Sequence, residues 1–432
     1  MGGAGTVTIN SGATLDIIAG AGTWNPNTSY LIIDTDGGVT GQFDTITSNL
    51  AFLTETVSYT IPHQVWLTLT RNNTDFGNIG GTENQSETGK GVESLGAGNE
   101  IYDQIVGMDR WEALNSFDNL SGEIHASTQS ALLMNSRYAR DAVNRHLSDS
   151  AGLPLSELEA RKALWVTTWF HDGHLKNNGN AARLDNNGWG VLVGADAYSN
   201  GTTTVGVAAG YEQTDLHIGS IRQSDADVNA IHLLGYGRTQ AGPIDLKGAI
   251  GYSWLDVDTT RNISVGSLVS KNEASYNGGL FQAYIEGSHT FTPAENTNLT
   301  PYLNLAYQRV KMDSFAEKGD HAHLLGRRGS NDLTTSQLGI KGSAQIADRV
   351  MLRGDIGWRH NFGSQTASTR LNFIGGTPYQ VKGSSLDRDN AVISADAQFE
   401  LTPNTNLSIG YEGLFGSKTQ DHAVKLMFEY RF

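Results

Sequence analysis

Residues 422–432 read HAVKLMFEYRF. At the two-residue period of a β-strand, His422, Val424, Leu426, Phe428, Tyr430 and Phe432 share one face. Ala423, Lys425, Met427, Glu429 and Arg431 share the other. A soluble sheet would bury the first face in a core. Here the segment stops on it, at a terminal aromatic. A strand with lipid on one side and a polar lumen on the other has this pattern. Earlier segments repeat it. After Gly242, Ile244, Leu246, Ile250, Tyr252 and Trp254 oppose Asp245, Lys247, Ala249, Gly251 and Ser253. From Arg349, Val350, Leu352, Ile356 and Trp358 oppose Met351, Arg353, Asp355, Gly357 and Arg359. Charges on the second face would be costly in lipid, which turns that face to the lumen.

The composition agrees. The chain has 432 residues, with 51 glycines, 8 prolines and no cysteine. Glycine suits crowded barrel interiors, scarce proline suits long hydrogen-bonded strands, and disulfides and thiolate metal sites are excluded. Mean hydropathy is −0.33, and no run approaches the ~20 apolar residues of a membrane helix. That excludes a helical membrane protein and leaves a barrel open. The start, MGGAGTVTINSG, lacks a basic start and an apolar core, so the chain is expected to be part of a longer secreted precursor. Net charge is −13 over residues 1–160 and −2 over 161–432. The acidic part argues against nucleic-acid binding.

Twelve strands are expected, at about 163–173, 187–198, 202–214, 225–239, 242–257, 274–291, 297–313, 333–346, 349–362, 389–401, 405–414 and 421–432. Connections alternate between short turns and long loops, the long ones near 174–186, 215–224, 258–273, 314–332 and 363–388. Bacterial outer-membrane barrels alternate in this way, with short turns on the periplasmic side. A soluble sandwich would have to bury an aromatic outer face that includes Trp189, Tyr211, Tyr236, Trp254, Trp358 and Tyr430.

Residues 1–72 hold short β segments broken by glycine and asparagine. They are similar to the last coils, about three, of a right-handed β-solenoid. Residues 73–96 read as a polar loop or linker. From about 98 to 147 the pattern turns helical, most clearly over 121–147. That helix would span about 40 Å at 1.5 Å per residue, and it is too polar to touch lipid. It fits inside a polar lumen; a linker helix lying outside is the alternative.

Short motifs add little. Arg353-Gly354-Asp355 spells RGD, but both charges fall on the lumen face of a strand. His171, Asp172 and His174 lie at a strand end, a weak metal signal. No G-x-S-x-G, H-E-x-x-H or P-loop occurs.

Stub, linker, helix and terminal barrel, in that order, resemble the autotransporters of type V secretion. The resemblance rests on YLIIDTDGGVTGQFDTI and VSYTIPHQVWLTLTRN near the solenoid's end, the autochaperone region, and on LSGEIHAS at the helix start. It rests also on LTPYLNLAYQRVKMDSFAEKG, LRGDIGWRHNFG and the final strands. It implies an all-β fold: an antiparallel transmembrane barrel of about twelve strands with a lumen helix, preceded by a short solenoid. The implied divisions are 1–72 passenger stub, 73–120 linker and start of the helix, 121–160 pore helix and turn, and 161–432 translocator. The implied function is a translocator that exports and anchors its own N-terminal passenger, not an enzyme, working without cofactor or metal.

The implied partners are outer-membrane lipid and lipopolysaccharide, the barrel-assembly machinery and the passenger, with no nucleic acid. The barrel would be a monomer in the Gram-negative outer membrane with the stub at the cell surface. Phe428, Tyr430 and Phe432 would form the insertion signal. Read from the residues themselves, the helix's last turns carry Arg137, Arg140 and Arg145, where cations suit the helix dipole, and Arg140 or Arg145 is expected to pair with at least one of the lumen glutamates Glu286, Glu400 and Glu429. Some family members cut themselves at an Asn-Asn pair inside the lumen. Here Leu132-Leu133 precedes Met134-Asn135-Ser136-Arg137. A self-processing barrel using Glu286, Asp355, Asp396 or Glu400 as acid and base is the second reading; a plain solute porin is a distant third.

Overall fold

The computed structural model describes residues 5–20, 24–149 and 162–432. Twelve antiparallel strands close into a ring: β1 (Ala163–Leu175), β2 (Leu184–Ser199), β3 (Thr203–Ile218), β4 (Ser224–Ala241), β5 (Ile244–Val265), β6 (Leu268–Ser288), β7 (Thr297–Met312), β8 (Gly329–Ala347), β9 (Val350–Phe362), β10 (Asp389–Thr402), β11 (Thr405–Phe415) and β12 (Thr419–Arg431). Each strand pairs with its neighbours in sequence. β12 closes on β1 from Thr419 opposite Leu175 to Arg431 opposite Ala163, and Phe432 exchanges backbone hydrogen bonds with Lys162 at the end of this seam. Among the described residues the ring of twelve has no edge strand, which is what a backbone in lipid requires.

The strands carry two stacked zones. In the lower half of β5 the outward residues are Ile250, Tyr252 and Trp254, all exposed, and the inward ones are Asp245, Lys247 and Ser253, all buried. Above Trp254 the faces exchange character: Asp256, Asp258 and Asn262 point out, while Leu255, Val257, Ile263 and Val265 point in. The lower zone suits lipid outside and a polar filling inside; the upper zone suits water outside and an apolar core inside. The long loop expected at 258–273 is therefore a correction. β5 and β6 run on to a tight turn at Gly266, which has φ of 57°. The loop expected at 363–388 likewise contains a hairpin, Thr366–Phe373 with Tyr379–Ser385.

Tyr236 is a second correction. It faces inward and is 4% exposed. Its outward neighbours Ile231 and Leu233 fix the phase of β4, and the lumen gives its hydroxyl two partners that lipid could not: Asp196 as acceptor at 2.9 Å and the Trp165 indole as donor at 3.0 Å. Inward aromatics explain part of the glycine content. Trp169 lies against Gly190 and Trp165 against Gly194, each directly opposite in register. A Cβ on either glycine would come within 2.2 Å of the indole.

The helices are α1 (Glu83–Glu93), α2 (Glu100–Val106), α3 (Arg110–Leu120), α4 (Ile124–Asn135) and α5 (Arg137–Asp149). The polar stretch expected to be a linker is thus helical over α1. Thr82 and Gln85 form a reciprocal capping box at its start. The glycines that made it read as loop are packing surfaces: a Cβ at Gly89 would strike the Phe76 backbone at 2.9 Å, and one at Gly91 the Tyr379 ring at 2.6 Å. α4 and α5 are one expected helix divided at Ser136. The Ser136 hydroxyl donates to the Leu133 carbonyl at 2.8 Å, a local bond that bends helices. The turn expected at 150–160 lies outside the described residues.

In the N-terminal region Val7–Thr8 pairs in parallel with Val39–Thr40, and Thr14–Ile17 with Thr45–Ser48. One such repeat is present among the described residues, where about three coils were expected. Thr28–Asp34, Gln64–Arg71 and Leu53–Ser58 then close it as an antiparallel sheet. Residues of that sheet (Leu53, Leu67, Leu69), of α1–α3 (Val92, Ile105, Phe117) and of the upper barrel zone (Ile263, Val265, Leu324, Phe373, Val381) share one buried core. The N-terminal cap and the barrel mouth are therefore one packed body.

Candidate functional site in the barrel lumen

The lumen is the candidate site, and the helix pair α4–α5 runs through it. Every residue of α4 is buried. Its upper end is held by charge. Glu123 receives the Ala182 backbone N–H at 2.8 Å and faces the Arg222 guanidinium at 2.7 Å. Burial pushes its carboxyl up to about 7, against the pull of Arg222. His125 sits between Tyr276 and Glu317, each at 3.0 Å, and burial lowers its pKa. A neutral ring with its proton on Nε2 satisfies both: Nε2–H donates to Glu317 and Nδ1 accepts from the Tyr276 hydroxyl. Glu317 is also gripped by Arg261 through two bonds, at 2.7 and 2.8 Å. Burial would raise Glu317, but Arg261 beside it holds it well below the carboxylate range. Arg261 reaches on to the carbonyls of Asn119 and Leu120 at the end of α3. These four groups tie α3, α4, β5, β6 and the loop after β7 together.

Below them the filling is amide and hydroxyl. Ser127 bonds Ser384 of the inward hairpin, and Gln129 accepts from Asn331 at 2.7 Å. Asn135 and Asn186 exchange two side-chain bonds at 2.9 and 3.0 Å. At the top of α5, Arg137 (1% exposed) contacts Asp421 at 2.7 Å and Glu412 at 3.3 Å. The Tyr138 hydroxyl donates to the same Asp421. Lower down, Asn144 donates to Glu286 at 2.8 Å, and Arg145 holds Asp396 through both its Nη atoms. His146 stacks on Trp165 and bridges Glu429 at 2.7 Å and Asp196 at 2.9 Å. Beside α5 a cavity of about 810 Å³ fills the lower lumen. Lys247, Glu286, Lys341, Arg353, Asp355, Asp396 and Glu400 line it.

The expected partners of the helix arginines need correction. Arg140 faces Asp141 on its own helix at 3.5 Å. Arg137 and Arg145 hold Asp421 and Asp396, which were not among the expected partners. Glu286 lies within 2.5 Å of Lys341 and 3.4 Å of Lys247, so its charge is met from the wall as well as by Asn144. Glu429 meets the helix through His146, and Glu400 is exposed at the cavity's edge. Inward carboxylates were legible from strand alternation; their partners depend on how far the helix descends, which no local pattern states.

The self-cleavage candidates surround α5, not the Met134-Asn135-Ser136 step. Asn144, which contacts Glu286, lies nine residues below Asn135, roughly 13 Å along a helix. Asp355 accepts the Tyr302 hydroxyl at 2.8 Å. His171 faces the lumen while Asp172 and His174 face out, so they do not converge. Arg353 and Asp355 line the cavity, so RGD is not on an outer surface.

A charge swap tests the lower contact. Arg145→Asp should loosen α5, read as faster limited proteolysis of the helix in the detergent-purified barrel. Asp396→Arg added to it should restore part of the protection. Equal proteolysis of Arg145→Asp and wild type would show that this contact does not hold α5.

Residues 164–412 match the family model described as autotransporter beta-domain. An extracellular serine protease of Serratia marcescens is 28% identical over 451 residues, spanning 93% of this chain and 43% of that protein. The Neisserial autotransporter lipoprotein NalP of Neisseria meningitidis serogroup B is 28% identical over 282 residues, 58% of this chain and 25% of that protein. The chain thus spans less than half the length of these curated relatives. The solved translocator domain of NalP superposes with a TM-score of 0.59 at 20% identity, covering 72% of this chain and all of that one.

Proposed function

The chain belongs to the autotransporter β-domain family, and from that premise we propose that it is a Gram-negative outer-membrane translocator that exports and anchors the passenger N-terminal to its helix. The observation that carries this reading is the closed ring with a lipid-compatible outer band, threaded by a polar helix that leads up into a folded cap. Residues 1–72 are then the end of the passenger at the cell surface, and the described part of 121–160, residues 121–149, holds the pore helix. Residues 73–120, expected as a linker and the start of the helix, serve as the seal between passenger and barrel. The seal's shared core with the barrel mouth supports this. Passenger, surrounding lipid and lipopolysaccharide, and the assembly machinery are the partners, with a monomeric barrel. The Phe428–Tyr430–Phe432 face supplies the insertion signal; its three aromatics are exposed on the outer wall.

The barrel itself is not a catalyst, and the names of the protease relatives describe those proteins. Self-processing is not favoured. Leu132-Leu133 stands where the asparagine pair would, and Asn135 is bound by Asn186. Proteinase K on intact cells expressing the full precursor should cut N-terminal to the barrel and leave a protected barrel fragment. Cutting only after the outer membrane is permeabilised would overturn the reading. A barrel-sized fragment in untreated membranes would favour self-processing.

A further inference from the structure

Just above the apolar band, the outer wall sorts its charges by side. On β3, β4 and β5 the outward residues Asp215, Asp227 and Asp258 lie in one register row. On β7 the outward face runs Leu303, Leu305, Tyr307, Arg309, Lys311. Arg327 and Arg328 precede β8, whose Ser330 lies opposite Lys311. All four cations are exposed. Arg309 donates to Ser330 at 2.9 Å, and Arg328 meets Asp313 at 3.0 Å. Four cations stand against two nearby carboxylates, Asp313 and Asp332, leaving an excess of two.

Arg309 and Lys311 are two and four residues past Tyr307, roughly 7 and 13 Å along the strand, and less in height because barrel strands tilt by about 40°. That puts Arg309 within the headgroup layer, about 5–8 Å thick beyond the hydrocarbon, and Lys311 at its outer edge. Leu303 and Leu305 below are 48% and 46% exposed and need acyl chains. The cations directly above need anionic oxygens, and guanidinium forks suit phosphate. One molecule meets both needs: a lipid with a phosphorylated head. The aspartate row on the nearby strands β3–β5 would repel the same head.

Resting on the outer-membrane reading, we propose that Arg309, Lys311, Arg327 and Arg328, with the apolar strip of β7 beneath, form a one-sided docking site for the phosphorylated head of an outer-leaflet glycolipid, lipopolysaccharide. The full-length protein, extracted from outer membranes in mild detergent, is titrated with lipopolysaccharide of the host strain, and the bound lipid is counted by native mass spectrometry. R309S/K311S should bind about thirtyfold more weakly, the effect of removing two cations from an anionic lipid surface. D215N/D227N/D258N should bind as wild type, and millimolar inorganic phosphate should not displace the lipid. Unchanged binding by R309S/K311S, equal loss in the aspartate variant, or displacement by phosphate would each overturn the site. Only heat-modifiable, folded barrels are compared. Should the pair fail to insert, K311S alone carries the test, with a loss of about fivefold expected. Wild type missing from the outer-membrane fraction would instead refute the localisation.

Discussion

Glu317→Gln should release the cap from the barrel mouth. The carboxylate is the centre of the upper lock: it takes two bonds from Arg261, one from His125 and the Leu324 backbone N–H at 2.9 Å. Arg261 is 1% exposed and has no route to water if its counter-charge is removed. Breaking such a pair from one side costs about 3–5 kcal/mol, because a buried charge is left behind. The cost falls on the junction of α3, α4 and the β5–β6 hairpin. The expected result is cleavage within residues 73–120 by external protease on intact cells under conditions where wild type resists. Arg261→Met with Glu317→Leu should recover much of the resistance, since an apolar pair removes both charges together. Equal resistance of Glu317→Gln and wild type would refute the lock.

The same site fixes a pH response. His125 has its pKa lowered by burial, so the folded cap binds fewer protons there than the unfolded chain. Its contribution is complete above about 6.5 and is lost as pH falls below that value. Glu123, raised to about 7, works in the opposite sense, favouring the folded cap as pH falls. His125→Asn leaves the opposing Glu123 unbalanced, so relative to wild type the variant should gain resistance as pH falls from roughly 6.5 to 5, measured by the same proteolysis; an unchanged difference between the two over this window would refute the role given to His125.

How much of this could be read from sequence depended on which contacts are local. The strands were legible because Ile250, Tyr252 and Trp254 alternate with residues that lipid would reject. The same rule failed above Trp254. There Asp256 and Asp258 take the outer positions while Leu255 and Val257 carry the apolar period inward, so an unbroken strand looked like the start of a loop. Tyr236 misled for a related reason: an aromatic in a barrel strand suits lipid, but its hydroxyl needed Asp196 and Trp165. α1 carries a local start signal, the Thr82–Gln85 capping box, but Gly89 and Gly91 made the stretch read as a loop, and the Phe76 and Tyr379 contacts that require them lie outside any local pattern. The lumen was hardest. Arg145 and Asp396 are 251 positions apart, and which wall carboxylate an arginine meets depends on barrel stagger and on how deep the helix sits.

Removing α4 and α5 should open the barrel. A chain beginning at Ala151 is expected to conduct ions in planar bilayers about tenfold or more above one beginning at Gly98, since the space vacated is about the 10 Å width of a helix. The seal lies in the outer half. α4 is buried throughout, whereas α5 already shares the lower lumen with a cavity of about 810 Å³. Conductance in the longer chain is therefore limited at α4, where Ser127 and Gln129 meet the inward hairpin and the start of β8. Small changes low in the lumen, such as Arg145→Asp, should leave conductance near that of the plugged barrel even while they loosen α5. Asp421→Asn acts higher, beneath α4. It removes the carboxylate shared by Arg137 and Tyr138 and leaves buried Arg137 with Glu412 as its remaining ion pair among the described residues. It should raise conductance well above Arg145→Asp, though not to the level of the truncated barrel. Equal conductance from the two truncations, each shown to be a folded heat-modifiable barrel, would mean that the helix pair does not seal the pore.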